Sequence, residues 1–413
     1  MLENDLQFKK RLVSRIQGWR EEGLIDEASA MALIQREGGQ MTGLLAAVRL
    51  HLAIAALAIL GAVAVGAGAV LFMAANIKAG HEFPAYVETA ALLSAMLLAY
   101  GTGYVLRFRT QVHPRLGDAF ILLGAILFQA AVFLIGQIYN VPTDDPTLLL
   151  LGAVGILPMA YLMSTRFVLF GGLVELVVWL GWRQATQFDE NEIAYFLPVL
   201  FLGVIVYSVG RLHASAKKWA GFAGVYTVIG LSTVLVSTFV LTFADVWEEM
   251  ARHHDCAGSY CGPASDYGVA QMTVALLILA AIVTVAPAAV RRFRSEATNA
   301  ELLVVAALLG LCTVALARPW WALAVPFNVV FFVAALGATI LGYVRADNKY
   351  IYLGLGAFAV ALIARYVETS WDMLPRSGFF VVGGALLMLL SCGLEVIRRR
   401  ILRQAQIRQE ATR

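Results

Sequence analysis

Apolar runs of about 17 to 25 residues, the length range of a membrane-spanning helix, recur along nearly the whole chain with charged segments between them. A hydrocarbon core about 30 Å thick requires roughly 20 apolar residues per helix. Hydrophobic residues make up 60% of the chain and charged residues 14%, whereas a soluble domain is roughly 45–50% apolar and about 25% charged. The sequence therefore predicts an all-α, polytopic membrane protein.

Hydropathy predicts about twelve spans, counted with the charged loops as boundaries. They are 52–75, 86–106, 118–138, 147–163, 167–183, 193–210, 219–243, 268–289, 300–317, 319–343, 350–366 and 377–397. Merging the pair divided at 164–166, or the pair divided near Arg318, would reduce the count to eleven. The predicted organisation is a helical hairpin at 1–45, a transmembrane bundle at 46–400 with an outer loop at 244–267, and a basic tail at 401–413.

The distribution of basic residues tests this topology. Cytoplasmic loops near helix ends carry an excess of Lys and Arg. With the N-terminus in the cytoplasm, only six of the 31 basic residues fall in predicted outer segments. They are Lys78, Arg183, Arg252, Arg318, Arg365 and Arg376. One wrong span would invert the side of every later loop, so this alternation favours twelve spans with both termini in the cytoplasm.

The segment before the first span has the pattern of a short helical hairpin. Gly23 fits a helix stop, and Asp26 fits the N-cap of a second helix. No apolar stretch occurs before about residue 42, so we expect no cleavable signal peptide. Residues 1–51 contain seven basic and seven acidic side chains and lack the positive footprint of nucleic-acid binding. We therefore expect no nucleic-acid partner.

Glu175 is the sharpest functional candidate, because it lies near the middle of the fifth predicted span, nine residues after Arg166. An ionisable residue at that depth is costly, usually faces the bundle interior and often marks an ion or proton path. The alternative is a protonated carboxyl group that forms a structural hydrogen bond to a neighbouring helix.

Further polar residues lie in or at the predicted outer ends of the first three spans. They are Glu88, Asn76, Gln129, Gln137, Tyr139 and Asn140. If these spans are neighbours, the side chains line one polar cavity that opens to the outside. The alternative is interhelical hydrogen bonding, which contributes about 0.6 kcal/mol per bond on average.

The predicted outer loop contains the sequence HHDCAGSYC, with Cys256 and Cys261 separated by four residues. In an oxidising compartment such a pair indicates a disulfide that closes a small loop. His253 and His254 beside it offer a weaker alternative, a zinc site, although this spacing matches no defined zinc motif. Free thiols are the third interpretation.

Several catalytic signatures are absent from the sequence. It has no GxxxxGK[ST] phosphate loop, no GxSxG elbow and no HExxH helix. These absences argue against ATP-driven transport by this chain alone and supply no sign of a catalytic centre. We accordingly predict no cofactor and no catalytic residue.

Three blocks near the N-terminus carry a family resemblance. They are GLIDEASAMALIQREG, a glycine-rich first span ending in LFMAAN, and LLGAILFQAAVFLIGQIYN. In this order, over roughly residues 10–165, they resemble the bacterial membrane proteins of domain-of-unknown-function family 2157. The segment GFFVVGGALLMLLSCGLEVIRRR resembles the last helix and basic tail of longer members. Ile77 stands where the family often has tryptophan, and Asn140 where it usually has histidine. The resemblance implies an architecture and a bacterial inner membrane, and no mechanism.

These observations leave three functional hypotheses. The first is a non-enzymatic, transporter-like protein that handles a small solute or protons in a polar cavity near Glu175, Glu88, Gln129 and Gln137. The second is a membrane scaffold or sensor that binds partner proteins through residues 1–38 and the outer loop. The third is a membrane-embedded enzyme. The lipid bilayer is a partner under each of them.

Overall fold

The computed structural model contains helices and no strand among the residues that it describes. Those residues are 12, 15–16, 19, 25–26, 29, 33, 53–54, 56–72, 85–111, 113–142, 145–187, 196–216, 218–248, 265–289, 296–317, 320–345, 347–370 and 388. Most of the predicted hairpin, most of the outer loop and the whole basic tail lie outside these ranges.

Eleven long helices are described. They are α1 (Ala56–Phe72), α2 (Ala85–Tyr104), α3 (Pro114–Ile138), α4 (Thr147–Leu162), α5 (Arg166–Gln187), α6 (Phe196–Ser215), α7 (Ala220–Val240), α8 (Ser265–Ala289), α9 (Glu296–Ala317), α10 (Ala324–Arg345) and α11 (Asn348–Ser370). A π-helical turn, Val105–Arg109, continues α2 and is closed by a hydrogen bond of 2.9 Å from the Thr110 N–H to the Val105 carbonyl. A 3-10 turn, Trp321–Leu323, precedes α10.

Eight of the helices are long and apolar enough to cross a membrane, and three shorter apolar helices lie at Ala56–Phe72, Thr147–Leu162 and Gln271–Val285. Each of the first eleven predicted spans coincides with one of these helices. The twelfth, at 377–397, lies outside the described residues apart from Met388. The chain is thus a helical membrane protein, and the count of twelve spans remains a prediction.

The turn between α4 and α5 decides whether this part of the chain forms one helix or two. Ser164 has a φ of 50°, and the Thr165 N–H donates to the Ala160 carbonyl at 3.0 Å. A bond of this span around a left-handed residue ends a helix as a Schellman motif does. The predicted division at 164–166 is confirmed.

The chain divides into two compact units, Ile59–Leu362 and the terminal segments Met1–Ala58 with Ile363–Arg413. In the terminal unit, the Asp26 carboxylate accepts a hydrogen bond of 3.2 Å from the Ser29 backbone N–H, which is the bond that an N-cap makes. In the same unit, Arg365 and Glu368 form an exposed ion pair one turn apart on α11.

In the larger unit, α6 and α7 pack closely where Gly230 of α7 faces the backbone of α6. A Cβ added at Gly230 would lie 2.6 Å from the Tyr207 Cα, so only a residue without a side chain permits this approach. A core cluster that includes Phe201, Trp247 and Phe327 joins α6 to the segment after α7 and to α10. Together with α3 and α4, which pack against α5, these contacts fix the helices that carry the polar residues.

Candidate functional site

Glu175, Gln129 and Gly152 meet where three helices converge. Glu175 lies in the middle of α5, Gln129 in α3 and Gly152 in α4. A Cβ built at Gly152 would overlap the Gln129 Oε1 and lie 2.7 Å from the Glu175 Oε1. The glycine therefore leaves the space in which the two polar side chains meet. Of the residues predicted to share a polar cavity, these two are brought together.

The orientation of the Gln129 amide follows from its second contact. Its Nε2 donates to the Leu148 carbonyl oxygen at 3.4 Å. Exchanging the amide oxygen and nitrogen would place two acceptor oxygens against each other at Leu148. The Gln129 Oε1 therefore faces Gly152 and the carboxyl group of Glu175.

Two buried acceptor atoms consequently lie side by side. Among the described residues, neither the Glu175 Oε1 nor the Gln129 Oε1 has a hydrogen-bond partner. An ionised carboxylate and an amide oxygen both accept and repel each other, whereas a protonated carboxyl group donates to the amide oxygen. A small cation bound by both oxygens would remove the same repulsion. The arrangement is suited to binding a proton or a small cation.

A metal ion held by several ionisable side chains would need more ligands than the Glu175–Gln129 pair provides. Within the described ranges, no group of three or more His, Cys, Asp and Glu side chains converges as it would around a metal ion.

Glu88 lies in a different place from Glu175. It lines a crevice of about 500 Å³ between α1, α2 and α3, whose other walls are almost wholly apolar. The lining includes Val65 from α1, Leu92 from α2 and Leu127 from α3. The structure thus puts the two predicted intramembrane carboxyl groups in separate surroundings.

The remaining polar candidates on α3 are at its C-terminal end. The Gln137 Oε1 is buried and has no hydrogen-bond partner in the described part of the chain. Tyr139 is 77% exposed. Asn140 has a φ of 54°, and the Val141 N–H next to it donates to the Gly136 carbonyl at 2.8 Å. Asparagine tolerates this left-handed conformation better than most residues, so Asn140 ends the helix.

Five sequence-predicted candidates fall outside the described residues. They are Asn76, Cys256, Cys261, His253 and His254. The disulfide, the zinc site and the free thiols all remain predictions.

Further buried polar atoms without partners among the described residues continue along α5 beyond Glu175. They are the Trp179 Nε1 and both amide atoms of Gln184, a residue only 1% exposed. Buried polar atoms in proteins are normally satisfied by protein or by internal water. Together with Gln137, they concentrate unsatisfied polarity in the half of the bundle that holds the C-terminal ends of α3 and α5.

At the other end of the bundle, polar side chains are bonded to one another in two clusters, while the buried Thr165 Oγ1 and Arg345 Nη1 have no partner among the described residues. The Arg166 Nη2 lies 3.4 Å from the Cβ position of Gly221, and the Lys349 Nζ lies 2.7 Å from that of Gly224. The first turns of α5, α7 and α11 therefore lie together. Since α10 finishes here at Arg345, this is called the Arg345 end.

Glu301 is the centre of an ion-pair cluster at the Arg345 end. Its Oε1 accepts a hydrogen bond from the Tyr207 hydroxyl and lies 3.5 Å from the Arg211 Nε. Its Oε2 pairs with the Arg345 Nη2. The Tyr350 hydroxyl lies 3.4 Å from that of Tyr207. The Glu301 carboxylate, only 9% exposed, thus connects α9 to α6 and α10, and the contact between the two tyrosines extends the cluster to α11.

Sequence reasoning missed Glu301, although a signal was present. The predicted span began at residue 300, which put Glu301 at a membrane surface, whereas α9 begins at Glu296 and carries Glu301 more than one turn into the helix. A charged residue one position inside the start of an apolar run is the signal that could have identified it.

A second cluster at the Arg345 end joins α4, α6 and α7. The Tyr161 hydroxyl lies 2.8 Å from the His213 Nε2 and 2.5 Å from the Tyr226 hydroxyl. The His213 Nδ1 lies 2.9 Å from the Val209 carbonyl, so a neutral ring donates there and accepts from Tyr161 at Nε2. Trp219 packs edge-on against Tyr161 and extends this aromatic cluster.

Comparison with known proteins identifies a family match. No curated protein and no solved structure matches the chain. The family resemblance predicted from the three N-terminal blocks is confirmed, and it covers the segment that contains α1 to α4. Residues 17–169 of the chain match the family model described as predicted membrane protein, DUF2157.

Proposed function

We propose that this protein is a transporter-like membrane protein in which Glu175 binds and releases a proton. The observation that carries this proposal is the pairing of two buried acceptor oxygens, on Glu175 and Gln129, beside Gly152. A proton on the carboxyl group turns this repulsive contact into a hydrogen bond. The loss of that proton restores the repulsion.

The position of the pair supports this function. Ionisable groups within membrane spans commonly belong to ion or proton paths, and Glu175 lies near the midpoint of a helix that is apolar enough to cross the membrane. The unsatisfied polar atoms of Trp179, Gln184 and Gln137 extend from this site toward one end of the bundle, as the lining of a water path would.

The proposed setting is the inner membrane of a bacterium, with twelve spans and both termini in the cytoplasm. The scarcity of basic residues in the predicted outer loops supports this orientation. It places the Arg345 end on the cytoplasmic side and the C-terminal ends of α3 and α5 on the outer side. In this orientation, residues 1–38 lie in the cytoplasm, where they could bind partner proteins.

The test is proton uptake by the purified protein in liposomes that contain a pH-sensitive dye, driven by an imposed membrane potential. We expect Glu175→Gln to abolish the uptake, because the amide cannot release a proton, and Glu175→Asp to retain part of it. Unchanged uptake in a correctly inserted Glu175→Gln protein would contradict the proposal.

The matched control is Glu88→Gln. It makes the same chemical change at an intramembrane carboxyl group in a separate crevice. We expect it to preserve proton uptake. Equal loss in both variants would indicate a general effect of charge removal on the bundle rather than a proton site at Glu175.

A further inference from the structure

The Glu301 cluster occupies a place where it controls access to the bundle. Arg345 is the last residue of α10 and Tyr350 the third of α11, while Tyr207 and Arg211 lie in the second half of α6. The Glu301 carboxylate binds Tyr207, Arg211 and Arg345, and the Tyr207 hydroxyl contacts that of Tyr350. Separating α6, α9 and α10 at this end therefore requires breaking a bond to Glu301, and separating α11 requires breaking the contact between the two tyrosines.

The cluster lies on one side of Glu175. Glu175 is nine residues from Arg166, the first residue of α5, which at a rise of 1.5 Å per residue is about 13 Å from the Arg345 end. On this side, most polar side chains are paired with one another in the Glu301 and Tyr161 clusters, and the buried Thr165 Oγ1 and Arg345 Nη1 have no partner among the described residues. On the far side, Trp179 and Gln184 present buried polar atoms that have no partner among the described residues.

We propose that the Glu301 cluster is a closed gate that separates Glu175 from the solution at the Arg345 end. With the gate closed, Glu175 exchanges with the opposite end, through the region lined by Trp179, Gln184 and Gln137. Opening the gate hydrates the cluster and gives Glu175 access to the Arg345 end. This inference rests on the proposed function, since it assigns the two sides between which the Glu175 proton moves.

The energetics of buried ion pairs suit a gate. The attraction between Glu301 and its two arginines is largely offset by the cost of removing the charges from water. A hydrated, open cluster is therefore close in free energy to the closed one, as a two-state element requires. The Arg345 Nη1 is buried without a partner among the described residues, so the closed state also leaves one donor that water satisfies on opening.

The test measures the accessibility of position 175 from each side. Glu175→Cys is placed in a background without the four native cysteines and labelled with a water-soluble maleimide in vesicles of each orientation. With the Glu301 cluster intact, we expect labelling from the far end and little from the Arg345 end. Glu301→Gln should raise labelling from the Arg345 end several-fold, because a neutral amide no longer holds the two guanidinium groups.

Two further variants keep this test decisive. Glu368→Gln breaks an exposed ion pair on α11 and should leave labelling at position 175 unchanged. Tyr207→Phe removes one bond to Glu301 and retains every charge, so it should raise labelling from the Arg345 end by a smaller factor. If Glu301→Gln does not insert into the membrane, the labelling of the Tyr207→Phe protein tests the gate in its place.

The possible outcomes separate the gate from the proton function. Labelling from the Arg345 end with the cluster intact, no labelling from the far end, or no increase in the Glu301 and Tyr207 variants would each overturn the gate. If Glu175→Gln still abolishes proton uptake in that case, the proposed function stands without the gate. If Glu301→Gln opens the path and Glu175→Gln leaves uptake unchanged, the gate stands and the proton function falls.

Discussion

Gln129 and Glu175 direct two acceptor oxygens into the same gap, although they belong to helices that are separated by α4 in the sequence. The gap exists because α4 presents a glycine there. The structure therefore places the carboxyl group of Glu175, which can gain or lose a proton, beside the neutral amide of Gln129. The amide oxygen accepts a hydrogen bond from the protonated carboxyl group and is repelled by the ionised one. Such a pair can couple proton binding to the packing of two helices.

Gly152→Ala tests this gap directly. The new methyl group would overlap the Gln129 Oε1 and lie 2.7 Å from the Glu175 Oε1, so we expect proton uptake to fall sharply and stability to decrease by about 1–3 kcal/mol. Thermal unfolding in detergent and dye-monitored uptake measure the two effects. Gly171→Ala, on α5 with open space around its Cβ position, is the matched control and should preserve uptake.

Gly230→Ala tests the close approach of α6 and α7. The added methyl group would lie 2.6 Å from the Tyr207 Cα, and a backbone cannot move aside as a flexible side chain can. We expect a loss of about 1–3 kcal/mol, measured as a lower unfolding temperature. Gly337→Ala, with no atom within 4 Å of its Cβ position, should be neutral or stabilising by up to about 1 kcal/mol. Equal effects at both positions would refute the close-packing argument.

Tyr161→Phe tests the cluster that joins α4, α6 and α7. It removes the hydrogen bonds to His213 and Tyr226 and leaves the buried Tyr226 hydroxyl without its partner. We expect a destabilisation of about 1–3 kcal/mol, observed by thermal unfolding in detergent. Tyr343→Phe, at a side chain that is 84% exposed, is the matched control. An unchanged unfolding temperature in Tyr161→Phe would show that the cluster contributes nothing to stability.

Asp145 gives a pH prediction outside the membrane-spanning helices. Hydrogen bonds from the Thr147 side chain and backbone lower the pKa of the Asp145 carboxyl group below its usual value, with the Thr147 N–H at 2.8 Å from its Oδ1. A lowered folded-state pKa contributes stability above the unfolded-state pKa of about 4 and loses it as the pH falls through the folded-state value.

The measurement for Asp145 is the unfolding temperature of wild type and Asp145→Asn at pH 6 and pH 3. We expect the stability advantage of wild type over the variant to be larger at pH 6 than at pH 3. The difference will be small, because the carboxyl group is exposed to solvent. An advantage that grows toward low pH would contradict the assigned direction of the pKa change.

The helices could be predicted from the sequence because a membrane imposes them. A backbone in hydrocarbon must satisfy its own hydrogen bonds, so a long apolar run indicates a helix with little ambiguity. The division of α4 from α5 was also readable, since Ser164 to Arg166 interrupt the apolar run. Glu175 stood out for the same reason, as a charge in apolar surroundings.

The residues that contact Glu175 could not be predicted from the sequence. Gln129 and Gly152 reach it through the packing of three helices, and no local pattern records which faces of those helices meet. For the same reason, the sequence suggested one cavity for Glu88 and Glu175, whereas the structure puts Glu88 in an apolar crevice between α1, α2 and α3. The Glu301 cluster likewise depends on side chains from four helices.

The π-helical turn at the end of α2 makes this segment sensitive to the deletion of a single residue. Arg107 lies within it, pairs with Asp118 and donates to the Ser164 carbonyl at 2.8 Å. Such turns accommodate one more residue than a regular α-helix, so they behave as single-residue insertions. Deleting one residue from Val105–Arg109 would restore a regular helix and rotate every following side chain by about 100°. If the deleted residue is Val105 or Leu106, Arg107 turns away from both partners, so we expect such a deletion to cost more stability than a substitution of either residue.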